Sequence, residues 1–255
     1  MKNCFSVEAK KVVITGASSG IGRHCAILLS KGGATCILIA RNQHKLEETQ
    51  SLMDNPERHS IFAMDITDEG LVNETISKVN VAVGQIDGFI HAAGMEKTKP
   101  FKLHTKSDFM DVFELNAVAG FQIAQKLSHN KFIPSTGASF IFISSITALR
   151  GFKGRAAYGA SKAAVSVVVQ TMAQEFASKN IRVNAVLPTM VNDTEMTNQI
   201  ASTLPQEQLE ENTKRHPLGW VDKDDIANAC IFLLSDASKK ITGTQLIIDG
   251  GYCTT

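Results

Sequence analysis

The fold is decided by the stretch Val12-Val-Ile-Thr-Gly-Ala-Ser-Ser-Gly-Ile-Gly22. Its first three residues are apolar and β-branched, which predicts a buried strand. The apolar residues Ile21, Cys25 and Leu29 then recur at helical spacing and predict a helix over residues 20–32. A glycine-rich turn between a strand and a helix brings backbone N–H groups and the positive end of the helix dipole towards an anion such as a pyrophosphate.

The turn itself has the glycine spacing G-x-x-x-G-x-G, formed by Gly16, Gly20 and Gly22. Glycine allows positive φ and a close approach of a ligand to the backbone, and Ser18 and Ser19 add hydroxyl donors. This spacing differs from the commoner dinucleotide pattern G-x-G-x-x-G, and a tight turn without a ligand would also use glycines. Its place between the first strand and the first helix favours nucleotide binding.

The same alternation of short β-rich runs and longer amphipathic runs continues to the C-terminus. Further strands are predicted at residues 36–39, 61–64, 88–92, 139–144, 182–187 and 245–248, and helices at 42–53, 68–83, 106–129, 157–178 and 223–235. This order predicts an α/β fold, a Rossmann-type doubly wound parallel sheet with helices on both faces. We expect a single domain over residues 1–255, with the polar segment 189–216 forming a substrate loop or lid at the carboxyl edge.

Composition limits the function classes. The net charge is +1, with 44% hydrophobic and 20% charged residues, so nothing suggests a nucleic-acid or membrane partner. The five cysteines include no C-x-x-C pair, which argues against a disulfide framework or a zinc site, and no metal is expected. With no secretory signal or membrane-spanning run visible, we expect a cytoplasmic protein.

The ends of the second and third strands bear on the choice of cofactor. An acidic residue after the second strand would bond the ribose of NAD, whereas an arginine would accept the additional phosphate of NADP. The chain has Arg41 there, so NADP is predicted over NAD, although Arg41 at a solvated strand end remains an alternative. Asp65 ends the third strand and either bonds the adenine amino group or belongs to the start of the next helix.

The candidate catalytic residues follow the fourth and fifth strands. Tyr158 and Lys162 are four residues apart, so on a helix they share one face. Ser145 ends a strand at the carboxyl edge, and Asn116 lies inside a predicted helix. Taken singly, Ser145 could be a strand-end cap, Asn116 a helix irregularity and Lys162 a surface charge. Together, downstream of a phosphate loop, they indicate a catalytic site.

This combination suits the interconversion of a carbonyl and an alcohol, in which a proton must reach or leave the substrate oxygen. An ammonium at roughly 4 Å is worth about 4 kcal/mol at an effective dielectric near 20. We therefore expect Lys162 to lower the pKa of the Tyr158 phenol towards the working pH. Ser145 is expected to hold the substrate oxygen, and Asn116 to bend its helix and hold a water linked to Lys162.

The chain resembles the short-chain dehydrogenases/reductases of the common, non-extended branch, and within them the 3-oxoacyl-carrier-protein reductases. The resemblance covers nearly the whole chain and rests on the motifs at residues 15–22, Asp65, 91–94, Asn116, Ser145, 158–162, 181–188 and 248–251. It implies a seven-stranded sheet of order 3-2-1-4-5-6-7, a catalytic tetrad of Asn116, Ser145, Tyr158 and Lys162, and a homotetramer or homodimer. The cofactor-binding residues expected from the motifs and the resemblance are Gly16, Ser18, Ser19, Gly20, Ile21, Gly22, Arg41, Asp65, Ile66, Ala92, Ala93, Gly94, Tyr158, Lys162, Pro188, Thr189, Val191 and Thr194.

Four departures from the family pattern are visible. His91 replaces the usual asparagine before Ala92, and we expect a packed or capped histidine. Thr189 replaces the glycine after Pro188, and Thr194 comes one residue later than the family's nicotinamide-contacting threonine. Ser19 replaces an arginine that many NADP-binding members carry, which weakens the prediction from Arg41.

The sequence predicts an NADP(H)-dependent oxidoreductase that acts on a 3-oxoacyl thioester, a sugar or a small ketone. Met95, Glu96 and the segment 189–216 are expected to line the substrate pocket. Arg150, Lys153 and Arg155 are either solvated loop charges or partners of an anionic substrate. Two other functions stay open: a non-catalytic nucleotide-binding or scaffold protein, and a redox-neutral epimerase or dehydratase on the same fold.

Overall fold

The computed structural model describes residues 3–202 and 205–254. Residues 203–204, inside the expected lid 189–216, lie outside this description, as do residues 1, 2 and 255. The described chain forms one sheet of seven parallel strands in the order β3-β2-β1-β4-β5-β6-β7, which confirms the predicted order. The strands are β1 Lys11–Thr15, β2 Thr35–Ala40, β3 Ser60–Ala63, β4 Gly88–His91, β5 Ala138–Ile143, β6 Ile181–Pro188 and β7 Gln245–Ile248.

The α-helices of the described residues are connected to these strands in the expected alternation. They are α1 Gly20–Lys31, α2 Gln43–Ser51, α3 Glu69–Val83, α4 Lys106–Phe113, α5 Ala119–Leu127, α6 Ala156–Glu175, α7 Glu195–Ala201, α8 Gln206–Lys214 and α9 Lys223–Leu234. The predicted helices near 157–178 and 223–235 are therefore found with boundaries shifted by at most three residues.

Successive residues of each strand face opposite sides of the sheet, and each side has its own core. Val13 and Phe89 pack with α3, α5 and α6, whereas Val12, Ile14 and Leu38 pack with α1, α2 and α9. Burial on both faces explains why the strand sequences are almost continuously apolar.

The predicted helix 106–129 is interrupted. It consists of α4, one π-helical turn at Glu114–Val118, and α5. A π turn inserts an additional residue into the helical spiral, and such turns are frequent at functional sites. Asn116 lies in this turn, so the helix is irregular at this residue, while a bend of its axis stays a prediction. The described residues between β6 and β7 include α7, α8 and α9.

Candidate active site

The glycine loop after β1 is shaped by close backbone approaches. Gly16 has φ +68°, and a Cβ there would lie 2.7 Å from the backbone nitrogen of Ala93. Gly20 has φ +52°, and a Cβ there would meet nothing closer than Thr194 Cγ2 at 3.9 Å. Gly16 is thus required for packing against the loop after β4. Gly20 faces open space at the start of α1, where the first N–H groups of a helix have no intrahelical partner.

A cleft of about 760 Å³ runs along the carboxyl edge of the sheet. It begins at Arg41, Asn42 and Asp65, passes the glycine loop, and ends at Ser145, Tyr158 and Lys162. Every predicted cofactor residue except Gly22 lines it; Gly22 lies behind the loop, where a Cβ would collide with the backbone of Gly16. The volume is that of an ordinary small-molecule or cofactor site.

The first end of the cleft is polar and basic. Arg41 follows β2 and is exposed, and Lys45 on α2 forms an ion pair with Glu195 on α7 (Nζ–Oε1 3.1 Å) that spans the two sides of the cleft. Asp65 accepts hydrogen bonds from the backbone N–H and the hydroxyl of Thr67, which with Arg41 hold the pKa of its carboxyl below the ordinary value. The helix cap of α3 is Asp68, not Asp65.

The other end of the cleft brings the predicted tetrad together. Lys162 Nζ lies 5.6 Å from the centre of the Tyr158 ring and donates a hydrogen bond to the carbonyl oxygen of Ile143 at 2.7 Å. Ser145 follows β5, and its side chain is close enough to Tyr158 to lower the pKa of the phenol. The two side chains of α6 therefore share one face, as the spacing predicted.

The expected pKa of Tyr158 is wrong for this structure. Burial, followed by the charge of Glu96, raises the pKa of the phenol above its ordinary value, and Arg155 and Ser145 oppose this only in part. Burial also lowers the pKa of Lys162 to about 8. The expectation failed because desolvation of a phenol in a closed pocket outweighs the neighbouring positive charges.

Asn116 links three parts of the site through its side chain. Its Oδ1 accepts from the backbone N–H of Met95 at 2.7 Å, and its Nδ2 donates to the carbonyl oxygen of Met95 and to the Ser161 hydroxyl, both at 3.0 Å. The π turn is therefore joined to the loop after β4 and to α6 near Tyr158. The water link between Asn116 and Lys162 stays a prediction.

His91 is a packed histidine, as expected. It is 1% exposed, its Nδ1 is 2.9 Å from the Thr15 hydroxyl, and burial and Lys162 lower its pKa to about 3. The neutral ring lies against α5 at Gly120, where a Cβ would be 2.6 Å from His91 Cδ2. The absence of a side chain at Gly120 makes room for the ring.

The loop after β6 contains Thr189 and Thr194, two of the departures from the family pattern. Thr189 has an ordinary backbone conformation, and its hydroxyl lies 3.2 Å from His216 Nε2. Asp193, directly before Thr194, has φ +54°. Thr194 then caps α7 through Thr197 and donates to the carbonyl oxygen of Val191. It lines the cleft beside Gly20 despite its shifted position.

Several contacts in the site were not predicted. Lys45 and Glu195 were missed, as was His216, which is 4% exposed and packs its ring at a tilt against Tyr252. Arg155 is neither solvated nor free for a substrate anion, because its Nε donates to Glu96 Oε1 at 2.9 Å. Among these residues, only Lys45 could have been found from the sequence, because it lies in the first turn of the helix after Arg41.

Comparison with known proteins identifies the class of the chain. The family model described as Enoyl-(Acyl carrier protein) reductase matches residues 16–253. The 3-oxoacyl-(acyl-carrier-protein) reductase FabG of Thermotoga maritima is 32% identical over 96% of this chain and 98% of that protein. The L-xylulose reductase of Caenorhabditis elegans is 33% identical over 97% of both chains.

A solved structure agrees along the whole fold. The 7 alpha-hydroxysteroid dehydrogenase complexed with NADH and 7-oxo glycochenodeoxycholic acid has a TM-score of 0.90, 27% identity and 98% coverage of both chains. The fold and site define an NAD(P)-binding oxidoreductase that acts on carbonyl and alcohol groups. The chain belongs to the short-chain dehydrogenase/reductase family, in its branch of 3-oxoacyl-carrier-protein reductase-like proteins.

Over the residues that the structure describes, neither a membrane-spanning helix nor a metal-binding cluster is present. Over residues 3–202 and 205–254, none of the helices combines the length and apolar character needed to span a membrane. Within the same residues, histidine, cysteine and acidic side chains form no group of three that could hold a metal ion.

Proposed function

We propose that the protein is an NADP(H)-dependent oxidoreductase that interconverts a carbonyl and a secondary alcohol, with Tyr158 as its acid/base residue. One observation carries this proposal: a single cleft has the glycine loop in the middle and the Tyr158 phenol, the Ser145 hydroxyl and the Lys162 ammonium at its end.

The residues of the cleft fit a dinucleotide. Gly20 leaves open space in front of the first turn of α1, which suits a pyrophosphate. Asp65 and Ile66 would hold the adenosine, residues 92–94 the middle of the cofactor, and Pro188, Thr189, Val191 and Thr194 its nicotinamide. When bound, the cofactor supplies a hydride to the carbonyl carbon or accepts one from the alcohol.

The side chains of the protein then handle the substrate oxygen. Ser145 donates a hydrogen bond to it and holds it beside Tyr158. In the direction of reduction, Tyr158 gives the oxygen a proton, and in oxidation it takes the proton back. The raised pKa keeps the phenol protonated over the physiological range, which suits a proton donor. Protonated Lys162 stabilises the negative charge that develops on the phenol oxygen.

The basic end of the cleft favours NADP over NAD. Arg41 and Lys45 both line the end where the adenosine ribose would lie, and β2 ends without an acidic residue. A phosphate there would compete with Glu195 for the Lys45 ammonium. Equal affinity for NADPH and NADH, measured by fluorescence titration of each, would contradict this preference. In the Arg41→Ala variant, only NADPH binding should weaken.

The substrate class is drawn from the relatives. The Thermotoga maritima protein is named for a 3-oxoacyl thioester and the Caenorhabditis elegans protein for a ketose. A 3-oxoacyl thioester, a sugar or a small ketone is therefore proposed for this chain, with the segment 189–216 as the lid over it. A homotetramer or homodimer is proposed as well, since Met110 on α4 and Val167 on α6 are exposed apolar residues.

The test is an NADPH-oxidation screen with 3-oxoacyl thioesters, ketoses, steroids and small ketones. One NADPH consumed per ketone converted would support the proposal and exclude a redox-neutral reaction with that substrate. Conversion of a substrate without net oxidation of NADPH would instead favour an epimerase or dehydratase. Tight cofactor binding without any turnover would favour the scaffold function.

A further inference from the structure

A carboxylate forms part of the cleft wall next to the catalytic residues. Glu96 lies in the loop after β4, lines the cleft, and has a side chain that is only 5% exposed. Its Oε1 accepts hydrogen bonds from Arg155 Nε at 2.9 Å and from the Thr98 hydroxyl at 2.8 Å. One oxygen of the carboxylate is thus held firmly by protein donors.

The second oxygen of Glu96 is in the opposite situation. Oε2 is shielded from solvent and has no hydrogen-bond donor among the described residues. A carboxylate can accept about four hydrogen bonds, and a buried acceptor without a donor is unfavourable. Oε2 is therefore a fixed and unused acceptor, and a donor in the cleft reaches it only if the side chains that cover it move aside as the ligand binds.

This acceptor is near the reacting groups. Glu96 and Tyr158 both line the cleft, and Arg155, which holds Glu96, is the residue immediately before α6, three residues from Tyr158. The charge of Glu96 acts on both catalytic side chains, since it raises the pKa of Tyr158 and opposes the lowering of the pKa of Lys162 by burial.

We propose that Glu96 determines the substrate class by accepting, through Oε2, a hydrogen bond from a substrate hydroxyl close to the reacting carbonyl. The favoured substrates are then hydroxylated ketones such as ketoses, with polyols as the corresponding alcohols. This inference rests on the proposed carbonyl/alcohol activity and selects among its candidate substrates.

The chemistry of the site excludes the other classes. An apolar chain beside Glu96 would leave Oε2 buried without a donor, and an anionic group would meet like charge in a closed pocket. A cationic group has little additional advantage, because Arg155 already pairs with this carboxylate. A neutral hydroxyl supplies the missing donor without adding charge.

The test compares two ketones with the same four-carbon skeleton: erythrulose, which is hydroxylated, and butanone, which is not. The wild-type protein should have a kcat/KM at least about tenfold higher for erythrulose, as expected for one hydrogen bond to a charged group. Glu96→Gln keeps the size of the side chain and an oxygen for Arg155 and Thr98, but replaces the acceptor Oε2 with a donor.

In the Glu96→Gln variant at about pH 6, well below the pKa of Lys162, kcat/KM for erythrulose should fall about 10- to 100-fold, mainly through KM, while the value for butanone changes less than about threefold. Cofactor affinity should stay at the wild-type value, whereas the melting temperature should fall, because Arg155 loses its ionic partner. Glu74→Gln, on the exposed face of α3, is the matched control and should change neither substrate.

Equal losses for both ketones would mean that Glu96 acts only on the structure, and would overturn the inference. A wild-type preference for butanone or a 3-oxoacyl thioester over erythrulose would also overturn it. If the wild-type protein reduces no carbonyl at all, the proposed activity fails. Calorimetric titration of the protein–NADP complex with erythrulose then still tests Glu96, and equal affinity of wild type and Glu96→Gln would reject its role.

Discussion

The middle and the far end of the cleft are built in different ways. The glycine loop is fixed by its own backbone, since Gly16 lies so close to Ala93 that a single methyl group would collide with the chain. The catalytic and substrate end is fixed by side chains from distant parts of the sequence, such as Glu96 with Arg155 and Thr189 with His216. The glycine loop, which is fixed by its backbone, tolerates almost no substitution. The catalytic end, which is fixed by side chains, permits substitutions that alter the choice of substrate.

The largest effect is expected at Tyr158. Tyr158→Phe removes the only group proposed to exchange a proton with the substrate oxygen, and general acid/base catalysis is worth about 10²- to 10⁴-fold. We expect kcat to fall by that factor, while NADPH affinity stays within about twofold, because the glycine loop is untouched. Steady-state kinetics and fluorescence titration measure the two quantities.

This variant also separates the enzyme from a binding protein. If the physiological role of the protein survived Tyr158→Phe unchanged, the scaffold alternative would replace the proposed function. The matched control is Tyr252→Phe, at the other tyrosine of the chain, where turnover should persist.

A substitution in the glycine loop, in contrast, is expected to weaken cofactor binding. Gly16→Ala introduces a Cβ 2.7 Å from a backbone nitrogen at φ +68°, so the loop must shift. Backbone strain of this kind is worth about 1–3 kcal/mol. We expect the melting temperature to fall and cofactor binding to weaken about 10- to 100-fold.

A calorimetric titration with NADPH and a thermal melt would check both effects. Gly151→Ala serves as the control, because a Cβ at Gly151 would meet nothing within 4 Å. Unchanged NADPH affinity in Gly16→Ala would show that side chains, and not the backbone, determine cofactor binding.

The pH dependence of reduction reports on the catalytic end. Burial lowers the pKa of Lys162 to about 8, with Glu96 opposing that effect. Lys162 is therefore protonated below about pH 8 and loses its charge above it. We expect kcat/KM for reduction to fall about tenfold per pH unit above this value, since a neutral amine no longer stabilises a phenolate.

The Glu96→Gln variant sharpens this measurement. Without the carboxylate, the pKa of Lys162 should be lower still, and the decline should begin at a lower pH than in the wild-type protein. A wild-type profile that stays flat to about pH 10, near the ordinary lysine pKa, would contradict this interpretation of the pocket.

The same contrast explains what the sequence could and could not predict. The glycine loop and the convergence of Ser145, Tyr158 and Lys162 follow from local patterns and from the rule that parallel strands end at one edge, whereas the strand order was implied by the resemblance to the family. The irregular helix at Asn116 and the packed His91 were likewise predicted, because each depends on residues next to a recognisable motif.

Contacts between segments that are distant in the sequence could not be predicted. Lys45 and Glu195 are 150 residues apart, and their ion pair depends on how α7 lies against α2. The raised pKa of Tyr158 was missed for a related reason, since the degree of burial is a property of the assembled pocket. Spacing in a sequence shows that an ammonium and a phenol are neighbours, but not how much water surrounds them.

The smallest predicted effect concerns the Thr189 departure. Thr189→Val removes the 3.2 Å contact with His216 Nε2 and leaves the backbone of the loop unchanged. One neutral hydrogen bond contributes about 0.5–1.5 kcal/mol, so the KM for the cofactor should rise about two- to tenfold with little change in melting temperature. Thr189→Ser should restore the wild-type KM, because it keeps the hydroxyl. Thr171→Val, at an exposed threonine of α6 that does not line the cleft, should leave the KM unchanged. If Thr189→Val and Thr189→Ser behave alike, the contact with His216 does not help to position this loop. Thr189 then takes the place of the family's glycine through its backbone alone.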